Sequence, residues 1–293
     1  MKLIVETDIG RDADDFFALC YLISSGVDIK AITISPGDSD QVAVAKFILK
    51  EVGWEHIPVG VGKLGRNKSS AGGIHTKLLS KYKFPLIHKD DGYGPDIMRD
   101  IHKEHSDIEF FCIGPLTSFG KYLNGCNEEI KRVTMQGGFC GYDLHGEDVP
   151  ILEKFRGKQT CSTFNLGGYI EGGKRLVSSD FVKERNFIGK NICHTIVYDA
   201  KVHEMVGKVT PKDRASELLR EGMTMYLERH KEGKKFHDPS AAVCMLHPEI
   251  ATWVKGKLYY EKGKWGTTLD NNGDNIAINI DYGKLWNFIA NGI

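Results

Sequence analysis

No stretch of the 293 residues approaches the ~20 consecutive apolar residues that span a bilayer, and nothing in the pattern calls for a membrane surface. An excess of either charge is also missing, with 39 Lys and Arg against 39 Asp and Glu. That removes the basic footprint expected of a protein that grips duplex nucleic acid. Cysteine is present but unpatterned: Cys20, Cys112, Cys126, Cys140, Cys161, Cys193 and Cys244 are odd in number and form no CxxC pair. Neither a zinc ribbon nor a disulfide framework fits, and reduced thiols in a cytoplasmic protein are expected. The opening "MKLIVETD" leads straight into a strand and lacks the form of a secretory signal. No repeat, low-complexity tract or linker interrupts the chain. One domain over residues 1–293 is therefore expected, with 41% hydrophobic residues to build its core.

What is present is an alternation of short apolar runs and helical patterns. "KLIVETD", "IKAITISPG", "IPVGVG", "IEFFCIG" and "IKRVTMQGG" read as strands. "DDFFALCYLISSG", "DQVAVAKFILKEVG", "PDIMRDIHKEHS" and "LTSFGKYLNG" read as the helices between them, the first closed by Gly26. Continuous apolar strands alternating with helices predict an α/β fold with a mostly parallel central sheet covered on both faces. Residues 142–162 read as an irregular excursion near the site. "PKDRASELLREGMTMYLERHKEG" predicts a long amphipathic helix. The tail predicts a hairpin, a strand and a last helix.

The most unusual stretch is "IVETDIGRDADDFFAL". Glu6, Asp8, Asp12, Asp14 and Asp15 crowd the end of a strand and the start of a helix. Single acidic residues there are ordinary, because a helix N-terminus offers free N–H groups and a favourable dipole. Four Asp between positions 8 and 15 repel one another and call for a counter-ion. A hard divalent cation with oxygen ligands is the natural one. The spacing is not an EF-hand loop, so further ligands must come from elsewhere.

Three later stretches can supply them. "IGPLTS" ends a strand with a turn that can aim a carbonyl inward. "TMQGGF" ends another with two glycines that allow close backbone approach. "KKFHDPSAAV" sets His237 and Asp238 just before Pro239, a residue suited to a first helical turn. A lone His–Asp pair at such a place is more often a cap than a catalytic pair.

Together with "ETDIGRDADDFFAL", "ISPGD" and "TFN", these motifs resemble, in order over about residues 1 to 290, the inosine–uridine-preferring nucleoside hydrolases. The resemblance implies a Rossmann-like fold and a calcium-dependent N-ribohydrolase, acting on a small-molecule nucleoside or nucleotide as a homodimer or homotetramer. It implies that Asp8, Asp15, Asp238 and the carbonyl of Thr117 hold Ca2+, and that Asp8 takes a proton from a calcium-activated water. Asp14 and Asn165 would hold the ribose, with Asp38 and Met135 at motif positions that line the substrate. His237 would line the base pocket and protonate the leaving base.

Several positions depart from that family. Five residues separate Asp8 from Asp14 where three are usual, which leaves Asp12 as a competing assignment. Asp38 replaces an Asn, and can accept but not donate. Thr163 replaces a Glu that receives the 5′-hydroxyl, and Arg156 and Lys158 stand just upstream. Loss of a carboxylate beside added cations favours a 5′-phosphorylated or otherwise 5′-modified ribonucleoside, and a modified base of the 7-deazaguanine type, such as that of queuosine, is a separate alternative. Read plainly, the same two cations are solvated loop charges. His75 and Lys77, in "KLGRNKSSAGGIHTKLL", are weaker base-contact candidates, as are Tyr82, Tyr93 and Tyr226. Two rival readings remain: a phosphohydrolase using Glu6 and Asp8, for which Glu is a poor first residue, and a non-catalytic nucleoside binder on the same scaffold.

Overall fold

A computed structural model describes residues 1–66, 68–141, 144 and 152–292. In chain order its strands are β1 (Lys2–Thr7), β2 (Asp28–Ile34), β3 (Val59–Val61), β4 (Gly92–Tyr93), β5 (Glu109–Cys112), β6 (Ile130–Gln136) and β7 (Thr160–Cys161). They continue with β8 (Val182–Ile188), β9 (Val197–Tyr198), β10 (Lys234–Lys235), β11 (Ala251–Glu261), β12 (Lys264–Leu269) and β13 (Asp274–Ile280). All except β9 and β10, which pair separately, join one sheet in the order β4-β3-β2-β1-β5-β6-β8-β13-β11-β12-β7. From β4 to β13 the pairings are parallel; from β13 to β7 they are antiparallel. The α/β architecture with a mostly parallel sheet is the expected one.

Alternation along β1 shows how the sheet is buried on both sides. Leu3 and Val5 enter one hydrophobic cluster, and Ile4 enters the other. The chain builds outward from β1 to β4 and then returns to lay β5 on the opposite side of β1. In such sheets a crevice opens beyond the carboxyl ends of the strands where the order reverses. The ends of β1 and β5, at Asp8 and Ile113, meet at that point. Gly114 is needed there, because a Cβ would lie 2.6 Å from the backbone N of Asp8.

The first helix, Ala13–Ser24, has every residue buried. It lies against the helices Arg214–Leu227 and His237–Leu246, so its acidic N-terminus is carried into the interior. Two features of the chain differ from the expected pattern. The basic loop folds partly into a helix, Ile74–Lys81, because His75, Leu78 and Leu79 find a core to enter. The C-terminal hairpin does not stand apart: β13 inserts between β8 and β11 and extends the main sheet. The expected irregular excursion, residues 142–162, falls in part on residues 142, 143 and 145–151, which lie outside the described residues. Its end holds β7, and a short helix, Phe164–Gly168, follows it.

Candidate active site

The crevice at the β1–β5 junction opens into a cavity of about 440 Å3. Asp8, Asp12, Asp14, Asp15, Asn165, Thr163, His237 and Asp238 line it, with Ile113, Gln136, Lys190 and His194. Four separate strand or helix ends therefore converge on one space.

The loop after β1 is pinned before it reaches the helix. Gln41 Nε2 donates to the carbonyls of Asp8 (3.1 Å) and Ile9 (2.9 Å), while its Oε1 accepts from Asp38 N (3.1 Å). Thr7 Oγ1 bonds to Asp15 Oδ1, which also accepts from Asp8 N at 3.3 Å. Asp12 caps the helix, accepting from Ala13 N at 3.1 Å.

Carboxylate oxygens of Asp14, Asp15 and Asp238 all lie within 4.8 Å of one another, and the three residues are buried. Burial and mutual repulsion push Asp15 and Asp238 well above the ordinary carboxylate range, and Asp8 up to about 7. Asp14 behaves differently. Burial raises it, but the hydrogen bond from His237 and the charge of Lys234 overcome that and hold it low. Asp14 Oδ1 makes no hydrogen bond among the described residues and has the Lys234 ammonium at 3.4 Å. A buried carboxylate trio, with two of its members pushed well above their ordinary range by burial and one another's charge, fits a hard cation with oxygen ligands.

His237 is the first residue of its helix. Its Nδ1 lies 3.3 Å from Asp14 Oδ2, and its Nε2 has no partner among the described residues. Asn165 ties the ends of β5 and β6 together, donating to Ile113 O (2.8 Å), Gln136 O (3.0 Å) and Gln136 Oε1 (2.8 Å).

Other expected site residues lie elsewhere. Thr117 begins the helix Thr117–Leu123 and is not in the cavity wall; Ile113, four residues earlier, is the residue of that turn which lines it. Asp38 is fully buried and turned to a loop instead of the cavity. It pairs with Arg66 (2.7 Å) and bonds Ser70, contacts that hold its carboxyl low against the effect of burial. Met135 is wholly buried in a core cluster. His75 is also core, edge-on to Phe16, with burial pushing it down to about 4. Arg156 and Lys158 are exposed and outside the wall, and Arg156 pairs with Glu153 at 2.8 Å. Tyr82, Tyr93, Tyr226 and Lys77 do not line it either. Glu6, counted with the acidic cluster in the sequence, faces away. Its carboxylate accepts from Ser118 N (2.7 Å), Phe119 N (2.9 Å) and Ser35 Oγ (2.9 Å), so it anchors a helix start. This leaves the Glu6–Asp8 phosphohydrolase reading without its pair.

Sequence reasoning missed Lys234. It is 5% exposed and reaches Asp12 Oδ1 at 2.9 Å and Asp14 Oδ1 at 3.4 Å. Burial lowers its pKa, but the two carboxylates more than reverse that. A Lys-Lys pair in sequence reads as solvated charge, and nothing local marks one of them as buried. Gln41 did carry a signal, since Asp38 followed three residues later by Gln has capping-box spacing.

Residues 3–287 match the family described as inosine-uridine preferring nucleoside hydrolase. A search of curated protein sequences gives no match. Among solved structures, the chain is similar to the plant nucleoside hydrolase PpNRh1 at 20% identity and a TM-score of 0.76, covering 99% of this chain and 98% of that one. It is also similar to a purine-preferring ribonucleoside hydrolase from Gardnerella vaginalis (17% identity, TM-score 0.70, covering 100% and 98%). An inosine-uridine preferring nucleoside hydrolase from Bacillus anthracis follows (14%, TM-score 0.69, 99% and 98%). These likenesses show the fold, and the match over nearly the whole length shows more: the chain belongs to the inosine-uridine preferring nucleoside hydrolase family and is a hydrolase acting on N-glycosyl compounds.

Proposed function

We propose that this enzyme hydrolyses the N-glycosidic bond of a ribonucleoside with calcium held by Asp8, Asp15 and Asp238. The observation that carries the reading is the convergence of Asp8, Asp14, Asp15 and Asp238 on one cavity at the β1–β5 crevice, with His237 beside them. Calcium, when bound, supplies the positive charge that lowers the pKa of a water.

The chain's own residues would act around that water. Asp8, at the cavity wall, accepts its proton. Asp14 is held ionised by Lys234 and His237, which suits hydrogen bonding to the ribose hydroxyls. As the glycosidic bond breaks, positive charge grows on the sugar, and the surrounding carboxylates stabilise it. His237 Nδ1 faces Asp14, which leaves Nε2 free to donate to the departing base. Ile113 stands where the resemblance called for the Thr117 carbonyl, so the backbone ligand is assigned to the end of β5. Free thiols at all seven cysteines accord with a cytoplasmic setting, and a homodimer or homotetramer is carried over from the family resemblance.

The test is a release assay with purified protein and calcium on purine, pyrimidine and 7-deaza ribonucleosides, with base and sugar followed separately by mass. Free base and free ribose are expected in equal amounts. Tight nucleoside binding with no base released would turn the reading into the non-catalytic binder.

A further inference from the structure

The acidic cavity has a basic neighbour. A second cavity, of about 660 Å3, is lined by Lys154, Lys235, Thr195 and Tyr282, and His194 lines both spaces. Lys190 lines the first. Lys154 Nζ lies 2.8 Å from His194 Nδ1, and Lys190 Nζ donates to the carbonyl of Ser162 at 2.8 Å. Among the described residues no carboxylate pairs with any of these three lysines. Glu153 also lines the second cavity, but its carboxylate is paired with Arg156.

Like charge has accumulated here. Burial and the charges of Lys235 and Lys190 lower Lys154. Burial and the charges of His237 and the three lysines push His194 down to about 3. Such a cluster sets up a positive potential that attracts an anion. A second observation points the same way. Thr163 is 8% exposed, lines the first cavity next to the Ser162 carbonyl that Lys190 holds, and its Oγ1 has no hydrogen-bond partner among the described residues. A buried hydroxyl at a cavity wall without a partner is a place for a ligand atom.

We propose that Lys154, Lys190 and Lys235, with Thr163, form an anion subsite beside the cleavage site, and that the substrate is a ribonucleoside 5′-monophosphate. The 5′ position follows from charge. On the proposed reading the 2′- and 3′-hydroxyls of the ribose turn toward Asp8, Asp14, Asp15 and Asp238, which stay net negative when ionised even with a divalent cation and Lys234 beside them. A phosphate on either hydroxyl would meet that charge, whereas the 5′-oxygen, on the other side of the ring, would be free to turn toward Thr163 and Lys190. This inference rests on the proposed N-ribosyl hydrolysis. It also moves the anion-binding role from Arg156 and Lys158 to residues that line the two cavities.

The experiment compares kcat/KM for inosine, inosine 5′-monophosphate and inosine 3′-monophosphate, with the adenine, guanine, uracil and 7-deazaguanine counterparts, in calcium-loaded enzyme. The 5′-monophosphate is expected to exceed its parent nucleoside by about tenfold or more at low salt. The ratio should fall in the Lys154→Ala/Lys235→Ala double variant and at high ionic strength, because exposed lysines are screened. A preference for the 3′-monophosphate, or a ratio near one that the double variant does not move, overturns the subsite and leaves the hydrolase reading standing. If no compound is cleaved, the hydrolase reading fails and calorimetry decides the subsite by itself. Ribose 5-phosphate binding about tenfold tighter than ribose supports it, and equal binding overturns it.

Discussion

At the scale of single residues, Lys234 and Asp14 explain why one acidic residue of the cluster differs from its neighbours. Asp14 is 1% exposed and is flanked by a buried ammonium and by the His237 imidazole. Removing one member of such a pair strands the other in low dielectric, and breaking a buried pair costs about 3–5 kcal/mol. Lys234→Met is therefore expected to destabilise the metal-free protein by that order in urea unfolding, with part of the loss recovered in calcium. An unchanged unfolding midpoint would mean that the contact contributes nothing.

The pH dependence belongs to the same scale. Asp8 in the folded, metal-free protein is raised to about 7, against an ordinary value of 3.8. A raised carboxyl holds its proton in the folded state at pH values where the unfolded chain has released it. Its contribution to stability is thus present below about 3.8 and lost as pH rises through about 7. His75, pushed down to about 4 from 6.5, has the opposite slope, because the unfolded chain protonates first as pH falls. Asp8→Asn isolates the carboxyl. In chelator, the melting temperature of Asp8→Asn minus that of wild type should grow from pH 5 to pH 8. Calcium should shrink or reverse the difference. A difference that is flat with pH would show that Asp8 is not strained by its neighbours.

Elements set the cavity walls. The helix Thr117–Leu123 begins on Glu6, whose carboxylate takes two of its backbone N–H groups. Glu6→Gln keeps the shape but leaves one side-chain N–H facing those donors. A cost of about 1–3 kcal/mol is expected in denaturant unfolding, with loss of activity following only from loss of fold. The loop before the helix Ile74–Lys81 is fastened by carboxylates: Asp38 holds Arg66 and Ser70, and Asp40 accepts from Ser70 N (2.7 Å) and Ala71 N (2.8 Å). Asp38→Asn should therefore raise amide exchange across residues 68–73. If it raised KM for the nucleoside and left exchange unchanged, Asp38 would be a sugar contact after all.

Legibility from sequence differed between these elements for physical reasons. Strand ends announce themselves through apolar runs broken by Asp or Gly, so Asp8, Asp14, Asp15, Asn165, His237 and Asp238 could be named as site residues, and all of them line one cavity. What could not be read was direction and long-range pairing. Glu6 and Asp8 are two positions apart on one strand, yet Glu6 is committed to a helix from the other side of the sheet. His75 looked like a loop histidine and is a core residue because its segment folds into a helix over Phe16. Lys234 and the lysines around His194 acquire meaning only when β10 and the short helix Lys190–Cys193 are brought to the same crevice.

At the scale of the molecule, the reversal of strand order between β1 and β5 creates the opening that all these residues share. The first helix, buried along its whole length, drives its acidic end into that opening instead of into water. Lys234 and His237 offset part of the negative charge gathered there, and the carboxylates left over are the donors a cation needs, which links the fold to the chemistry.

The most direct test of that link measures base release from a ribonucleoside and its 5′-monophosphate by chelator-treated protein, before and after calcium is restored, alongside Asp15→Asn. Activity should vanish with the metal, return with calcium in the wild type, and stay absent in Asp15→Asn at calcium levels that saturate the wild type. Full activity in chelator, or a fully active Asp15→Asn, would contradict a cation held by the acidic cluster.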